Sequence, residues 1–473
     1  MTRRQFIRST FAAGTALGLA GLGTTGCLAK RRRPNLILIV ADDLGWGDLS
    51  CFGQQKFKTP HLDRMAAEGI RCTQFYSCAP VCAPARCGLL TGLHSGHAPI
   101  RTNVELEPEG QMPLPEGTWT FPRALADAGY ATGCFGKWGL GTMENEGSPL
   151  RHGFGRFYGY LCQRQAHYHY PEALWDNEHR IALPENTANA RQTYAPDLIA
   201  EQAIRFAEVN ASRPYFLYFA PTLPHAELAA PAPAMAPFAG KYPETPFDGR
   251  TYSAQATPRA AYAAMVTRLD AHIGALLGTL RSTGQAEDTV VLFTSDNGPS
   301  PEGGSDPSFF NSSGPYRGGK RTLYEGALRV PLLAWAPGRI RPDQEIADPM
   351  AAWDIAATLL DFARATQPLH GTVDSRSFAR SLINRATADL PRETLYWEYP
   401  DGNGAQALRD NQWKLIIPDL RQQPPAPELY NLETDLAEAT NLADKEPSRL
   451  ARMLSQMQNH HRPNKSFPLP AEV

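Results

Sequence analysis

Three short, uninterrupted apolar runs constrain the fold of this chain more than any other feature. Leu36 to Val40, Tyr215 to Phe219 and Val290 to Phe293 each give way almost at once to polar residues: Asp42-Asp43, His225 and Asp296-Asn297 respectively. A strand that is apolar at every position, not at alternate ones, is buried on both faces, as in a parallel sheet covered by helices. Helical patterns lie between these runs. Thr59-Pro60 supplies a cap and a first-turn proline ahead of Leu62, Met65 and Ala66, with Gly69 as the stop. A longer one starts near Pro258 and repeats Met265, Leu269, Ile273, Leu276, Leu277 and Leu280 before Gly284. Strands alternating with helices predict an α/β fold, in which ligands gather beyond the carboxyl ends of the strands. The polar residues named above fall there.

The stretch from Pro221 to Ala256 is rich in Ala and Pro and has no period, so it reads as a long loop wrapping the mouth of the site. Beyond Gly371 the texture changes. Leu395 to Tyr399, Ala405 to Leu408, Trp413 to Ile417 and Leu429 to Leu432 are short strand-like pieces separated by turns, which predicts a small, mainly antiparallel C-terminal domain. The expected organisation is a catalytic domain over 34–370 and a small α+β subdomain over 371–473.

Residues 1–33 are set apart. Arg3-Arg4-Gln5-Phe6-Ile7 precedes an uncharged, Ala/Gly/Leu-rich stretch from Ser9 to Gly26, which resembles a twin-arginine export signal. Cys27 is a candidate lipid-anchored N-terminus, so the expected location is periplasmic or outer-surface. No later run reaches the roughly 18 apolar residues of a spanning helix, so no membrane insertion beyond such an anchor is expected. The 46 Lys+Arg nearly balance 48 Asp+Glu, a net charge of -2, which leaves no bulk electrostatic draw toward nucleic acid. Of 8 cysteines, those after the signal are Cys51, Cys72, Cys78, Cys82, Cys87, Cys134 and Cys162. An odd set leaves at least one thiol with another fate, and the pairing of the rest stays open.

Three carboxylates and an amide, from Asp42, Asp43, Asp296 and Asn297, would repel or stay solvated unless a cation gathered them. Oxygen donors of this kind suit calcium better than zinc, which prefers Cys and His. The most specific motif is Cys82-Ala83-Pro84-Ala85-Arg86 followed by Leu90-Thr91-Gly92. This C-x-P-x-R with trailing L-T-G resembles the type I sulfatase signature, in which a maturation enzyme oxidises the cysteine to Cα-formylglycine. A hydrated aldehyde offers one hydroxyl to attack sulfur and a second whose deprotonation expels sulfate, which Ser or Cys cannot do. Pro84 suits the first turn of a helix, whose N-terminal amides favour an anion.

The resemblance implies an alkaline-phosphatase-like sandwich with a large mixed, mostly parallel sheet and the small C-terminal sheet domain. It also implies one Ca2+ held by Asp42, Asp43, the converted Cys82, Asp296 and Asn297. Arg86 would hold the formylglycine and metal-side oxygens, Lys137 and Lys320 would bind sulfate oxygens, and His225 would be the general acid. Further matches are Thr59 to Asp63, Thr322 to Pro331 and Glu428 to Leu432. One departure stands out. The family commonly reads G-K-W-H-L-G, with a histidine that contacts the formylglycine and is a candidate base for sulfate elimination; here position 139 is Gly, and His94 and His97 become candidate replacements by sequence proximity.

The expected activity is hydrolysis of a carbohydrate or aryl sulfate ester. The alternatives are a phosphomonoesterase or phosphodiesterase of the same superfamily, and a sulfated-glycan binder without turnover. Gln163 to Tyr170 and the loop after His225 are the tracts expected to frame the leaving group, with aromatic and His side chains that suit a sugar or an aryl ring equally.

Overall fold

A computed structural model describes residues 32–107, 109–365, 374–384 and 394–472. The expected export segment, Cys27 and the boundary near Gly371 lie outside the described residues. Among the described residues no helix is long and apolar enough to cross a membrane.

The main sheet draws on β1 (Asn35–Ala41), β2 (Ile70–Tyr76), β3 (Ala131–Lys137), β4 (Arg156–Tyr160), β5 (Ala173–Asp176), β6 (His179–Ala182), β7 (Tyr215–Ala220), β8 (Thr289–Ser295), β9 (Arg329–Trp335), β10 (Gln344–Ile346) and β11 (Met350–Ala351). Its order is β10-β2-β9-β8-β1-β7-β3-β4-β5-β6, with β11 beside β2. The centre is parallel: β1 pairs β7 and β8, and β3 pairs β7 and β4. The sheet is mixed because β9 runs antiparallel to both β2 and β8, and β5 to β4 and β6. Every residue of β1, β7 and β8 is buried. Leu36, Leu38 and Val40 point into one core, while Ile37, Ile39 and Ala41 point into the other. One core is closed by the Cys82–Thr91 helix and the other by the Pro258–Ser282 helix. Burial on both faces is why these runs carry no alternation.

Strand β3, Ala-Thr-Gly-Cys-Phe-Gly-Lys, has little of the bulk that marks a strand in a sequence. The second of its two glycines explains part of the composition. Gly136 has φ +114, and a Cβ there would meet Ala220 O of the neighbouring strand at 1.9 Å. The glycine beside Lys137 therefore admits the backbone of β7 and does not open space for a ligand.

β12 (Thr394–Tyr399), β13 (Ala405–Asp410), β14 (Trp413–Ile417) and β15 (Glu428–Asn431) form the expected antiparallel sheet in sequence order. With Met453 and Met457 of the Pro447–His460 helix it encloses a third core. Polar bonds tie this sheet to the body: Trp397 Nε1 donates to Ser77 O at 2.8 Å, and buried Lys414 pairs with Glu325 and Glu438 at 2.9 Å each. None of the seven cysteines from Cys51 to Cys162 is in a disulfide, and all but Cys51 are buried.

Candidate active site

Each central strand delivers its polar residue as it leaves the sheet at the same edge. Asp42 and Asp43 follow β1, Lys137 ends β3, and Asp296 and Asn297 follow β8. His225 lies just past β7, and Asp42 N donates to Leu223 O at 3.1 Å, which fixes this turn against the end of β1. Asp43 has φ +62, and its N donates to Asp296 Oδ1 at 3.1 Å, which locks the two acidic corners together.

Cys82 opens its helix directly after extended Val81, with Pro84 in the first turn, so the side chain projects from the helix start into this edge. Its Sγ is 3.6 Å from Asp42 Oδ1. Burial pushes the thiol up to about 12, outweighing the attraction of Lys137 and Lys320, so the unmodified group is protonated and a poor nucleophile at neutral pH. Arg86, one turn later, is fully buried; its Nη2 is 2.8 Å from Asp296 Oδ2 and its Nη1 donates to Lys137 O at 3.1 Å.

The acids and bases compensate one another pairwise. Lys137 Nζ lies 2.6 Å from Asp42 Oδ2, and Lys320 Nζ lies 2.8 Å from Asp43 Oδ2. Burial alone would raise Asp42, but Lys137, His225 and Arg86 prevail and hold it well below the usual carboxylate range. Asp296 goes the other way, to about 7, because burial and the neighbouring Asp42 outweigh Arg86. Both lysines are buried, so neither is a solvated surface side chain.

Lys320 Nζ also stands 3.0 Å from His225 Nε2. An ammonium can only donate, so Nε2 is the acceptor and Nδ1 carries the proton toward Ala226 O. Burial and Lys320 lower His225 to about 4. The ring is therefore neutral in the free site, with the Lys320 ammonium as its hydrogen-bond donor.

The donor chemistry fits a hard cation. Ligand atoms of Asp42, Asp43, Cys82 and His225 lie within 4.8 Å of one another. Asn297 donates through Nδ2 to Asp43 Oδ1 at 2.7 Å, while its buried Oδ1 has no hydrogen-bond partner. An orphaned amide oxygen among three carboxylates is the donor set that calcium takes.

All the predicted site residues come together; the predicted replacements for residue 139 do not. The Cys82–Thr91 helix spans about 15 Å, and His94 and His97 lie past its far end. There His97 Nδ1 bonds Asp374 at 3.0 Å, and His94 packs against Trp353 and Tyr396. Sequence reasoning missed Glu302, whose Oε2 is 3.0 Å from Lys320 Nζ and whose Oε1 accepts from Arg321 at 2.8 Å. A lone acid in a Gly/Pro-rich loop carries no motif; its only signal is lying just beyond Asp296-Asn297. In the Gln163–Tyr170 tract, His167 stacks on His225 at 4.3 Å, and His169 Nε2 is bonded to His225 O at 3.0 Å. That tract supports His225 as well as facing the site.

A family model described as Sulfatase matches residues 34–365, and one described as N-sulphoglucosamine sulphohydrolase, C-terminal, matches 317–463. The chain is 33% identical to arylsulfatase A of Homo sapiens over 414 residues, 82% of this chain and 75% of that protein. It is 33% identical to N-acetylgalactosamine-6-sulfatase of Canis lupus familiaris over 401 residues, 79% of this chain and 70% of that protein. Among solved structures, Ps i-CgsB in complex with k-i-k-neocarrahexaose is similar at a TM-score of 0.76 and 26% identity, covering 90% of this chain and 92% of that one. With the signature helix, the paired acids and lysines, and matches along nearly all of its described length, the chain belongs to the sulfatase family and is a sulfatase of alkaline-phosphatase-like fold.

Proposed function

We propose that this sulfatase works through a Cα-formylglycine at position 82 and one calcium ion, and that its substrates are sulfated carbohydrates. The observation that carries the reading is Cys82 at a helix start, 3.6 Å from Asp42 and between the Lys137 and Lys320 charges, with a thiol too basic to serve as it stands. An aldehyde hydrate at this position would supply the hydroxyl that attacks sulfur and the one that later expels sulfate, with Ca2+ on Asp42, Asp43, Asp296 and Asn297 drawing charge from the sulfate oxygens.

The remaining work belongs to fixed side chains. Lys137 and Lys320 bind the peripheral and bridging oxygens and stabilise charge as the S–O bond breaks, in a buried site where such help is strong. Arg86 holds Asp296 and the residue at position 82 in register. Protonation of the departing alkoxide falls to His225. Its Nε2 accepts a hydrogen bond from Lys320 at 3.0 Å, with Lys320 staying an ammonium, and an anionic substrate beside the ring raises its basicity from the low value of the free site so that it can carry the proton it passes on.

Two of the relatives' names support a carbohydrate ester, N-acetylgalactosamine-6-sulfatase and a protein solved with a neocarrahexaose, while that of arylsulfatase A keeps an aryl ester as the alternative. Residues 1–33 are read as an export signal, with Cys27 a candidate anchor, placing the enzyme in the periplasm or on the outer surface. Residues 34–370 are read as the catalytic domain and 371–473 as its C-terminal subdomain. A formylglycine-generating enzyme is the partner this maturation requires.

The test is to produce the protein with such an enzyme, measure the mass of the peptide spanning Cys82, and compare turnover of nitrophenyl sulfate, nitrophenyl phosphate and defined sulfated oligosaccharides. Conversion at Cys82 with sulfate release is expected. Full activity with an unconverted thiol, or faster phosphate turnover with zinc, overturns the reading.

A further inference from the structure

Position 139 lacks a side chain, and the space beside it is filled from another strand. Pairing of β3 with β4 continues past both strand ends, with Trp138 N donating to Tyr160 O at 2.9 Å and Gly139 N to Leu161 O at 3.0 Å. Gln163 therefore emerges from β4 at the same edge as Lys137. A Cβ on Gly139, which has φ +74, would stand 2.1 Å from Gln163 Nε2 and 2.8 Å from its Cδ. The carboxamide occupies the place where a side chain at 139 would begin.

Gln163 is only 3% exposed, yet neither its Nε2 nor its Oε1 has a hydrogen-bond partner. Buried carboxamides are ordinarily satisfied, so one with both ends free points to a ligand that completes it. Its backbone is held firmly. Gln163 N donates to Gln111 Oε1 at 2.9 Å, and Gln111 Nε2 donates to Val104 O at 2.9 Å. The adjacent Asn103 accepts from Ala83 N at 2.9 Å, in the first turn of the helix that starts at Cys82. On its other side the Gln165–His167 turn carries His167, stacked on His225. Gln163 thus stands against Gly139, two residues past Lys137, is linked through Gln111 and residues 103–104 to the first turn of the Cys82 helix, and lies four residues before His167, which stacks on His225.

We propose that Gln163 contacts the reacting group, its Nε2 donating to a sulfate oxygen and its Oε1 accepting from a hydroxyl on residue 82. The proposal rests on the formylglycine reading above. A carboxamide neither gains nor loses a proton near neutral pH, so Gln163 orients these groups and is not the base for sulfate elimination. Gly139 and Gln163 form one unit: the absence of a side chain at the first makes room for the second.

The test compares the matured wild type with Gln163→Leu, Gln163→Glu and Cys82→Ala, reading kcat, KM and melting temperature with nitrophenyl sulfate. Gln163→Leu is expected to lower kcat/KM at least tenfold while the melting temperature holds or rises, because hydrocarbon replaces an unpartnered buried amide. A smaller loss of activity overturns the proposal. Should the leucine variant melt early, Gln163→Glu decides: its carboxylate is expected to weaken inhibition by inorganic sulfate tenfold or more, and unchanged inhibition overturns the proposal. Activity retained in Cys82→Ala overturns the underlying reading, whereas activity retained only in the Gln163 variants overturns this inference alone.

Discussion

Lys137 Nζ and Asp42 Oδ2 are 2.6 Å apart, and neither side chain has any exposure to solvent. Removing one partner of such a pair leaves the other charged and desolvated. Lys137→Met is expected to lower stability by about 3 kcal/mol in calcium-free buffer, and by less with calcium, which offers Asp42 a second counter-charge. Urea titrations with and without calcium read this difference. An equal loss in both buffers would detach Asp42 from the proposed ion.

Calcium itself should behave as a ligand of the folded state. At a hundredfold excess over its Kd it should stabilise the chain by about 2.7 kcal/mol, and chelation should remove that increment together with turnover. Calorimetry after chelation, then after return of calcium or zinc, reads the effect. Recovery with zinc but not calcium would contradict the oxygen donor set of Asp42, Asp43, Asp296 and Asn297.

Glu302 shares the Lys320 ammonium with Asp43, at 3.0 and 2.8 Å, and despite the opposing effect of burial its carboxyl falls to about 2 under the pull of Lys320 and His225. Glu302→Gln keeps the shape and removes the charge that orients the ammonium. A fall in kcat/KM of about tenfold, or some 1.4 kcal/mol, is expected without loss of melting temperature. Unchanged kinetics would make Glu302 a bystander.

Asp48 gives a pH dependence of stability. It accepts from Gly45 N and Tyr262 Oη at 2.7 Å and from Ser312 Oγ at 2.6 Å, but burial prevails and raises its carboxyl to about 6. The folded state then keeps a proton that the unfolded chain has already released. The contribution of this group is therefore full below about pH 4 and declines as pH rises to about 6, by ~3 kcal/mol in all. The stability difference between wild type and Asp48→Asn should shift by about that amount in favour of the variant between pH 4 and pH 7. A difference flat in pH would remove the account.

Much of this was legible beforehand, for a physical reason. β1, β7 and β8 are buried on both faces, so their sequences are apolar without a break, and the first polar residue after each marks the sheet edge. Strand β3 was not legible because Gly136 must admit the β7 backbone, which strips the strand of its usual bulk. Glu302 was illegible as a site residue, and Gln163 was legible only as the start of a tract expected to frame the leaving group, for a different reason. Their roles come from what stands opposite them across the edge, Lys320 for one and the void at Gly139 for the other. His94 and His97 show the converse error: nearness in sequence to Cys82 counted for nothing once a helix lay between.

Cys82 is 1% exposed within a helix whose ten residues are all buried. A converting enzyme working on this sulfur would need the segment extended and in its own cleft, which the finished molecule does not permit. Maturation on the proposed route is consequently a race against self-assembly of the chain. On that route, a chain that folded first would be a well-formed protein that later supply of the modifier would not rescue.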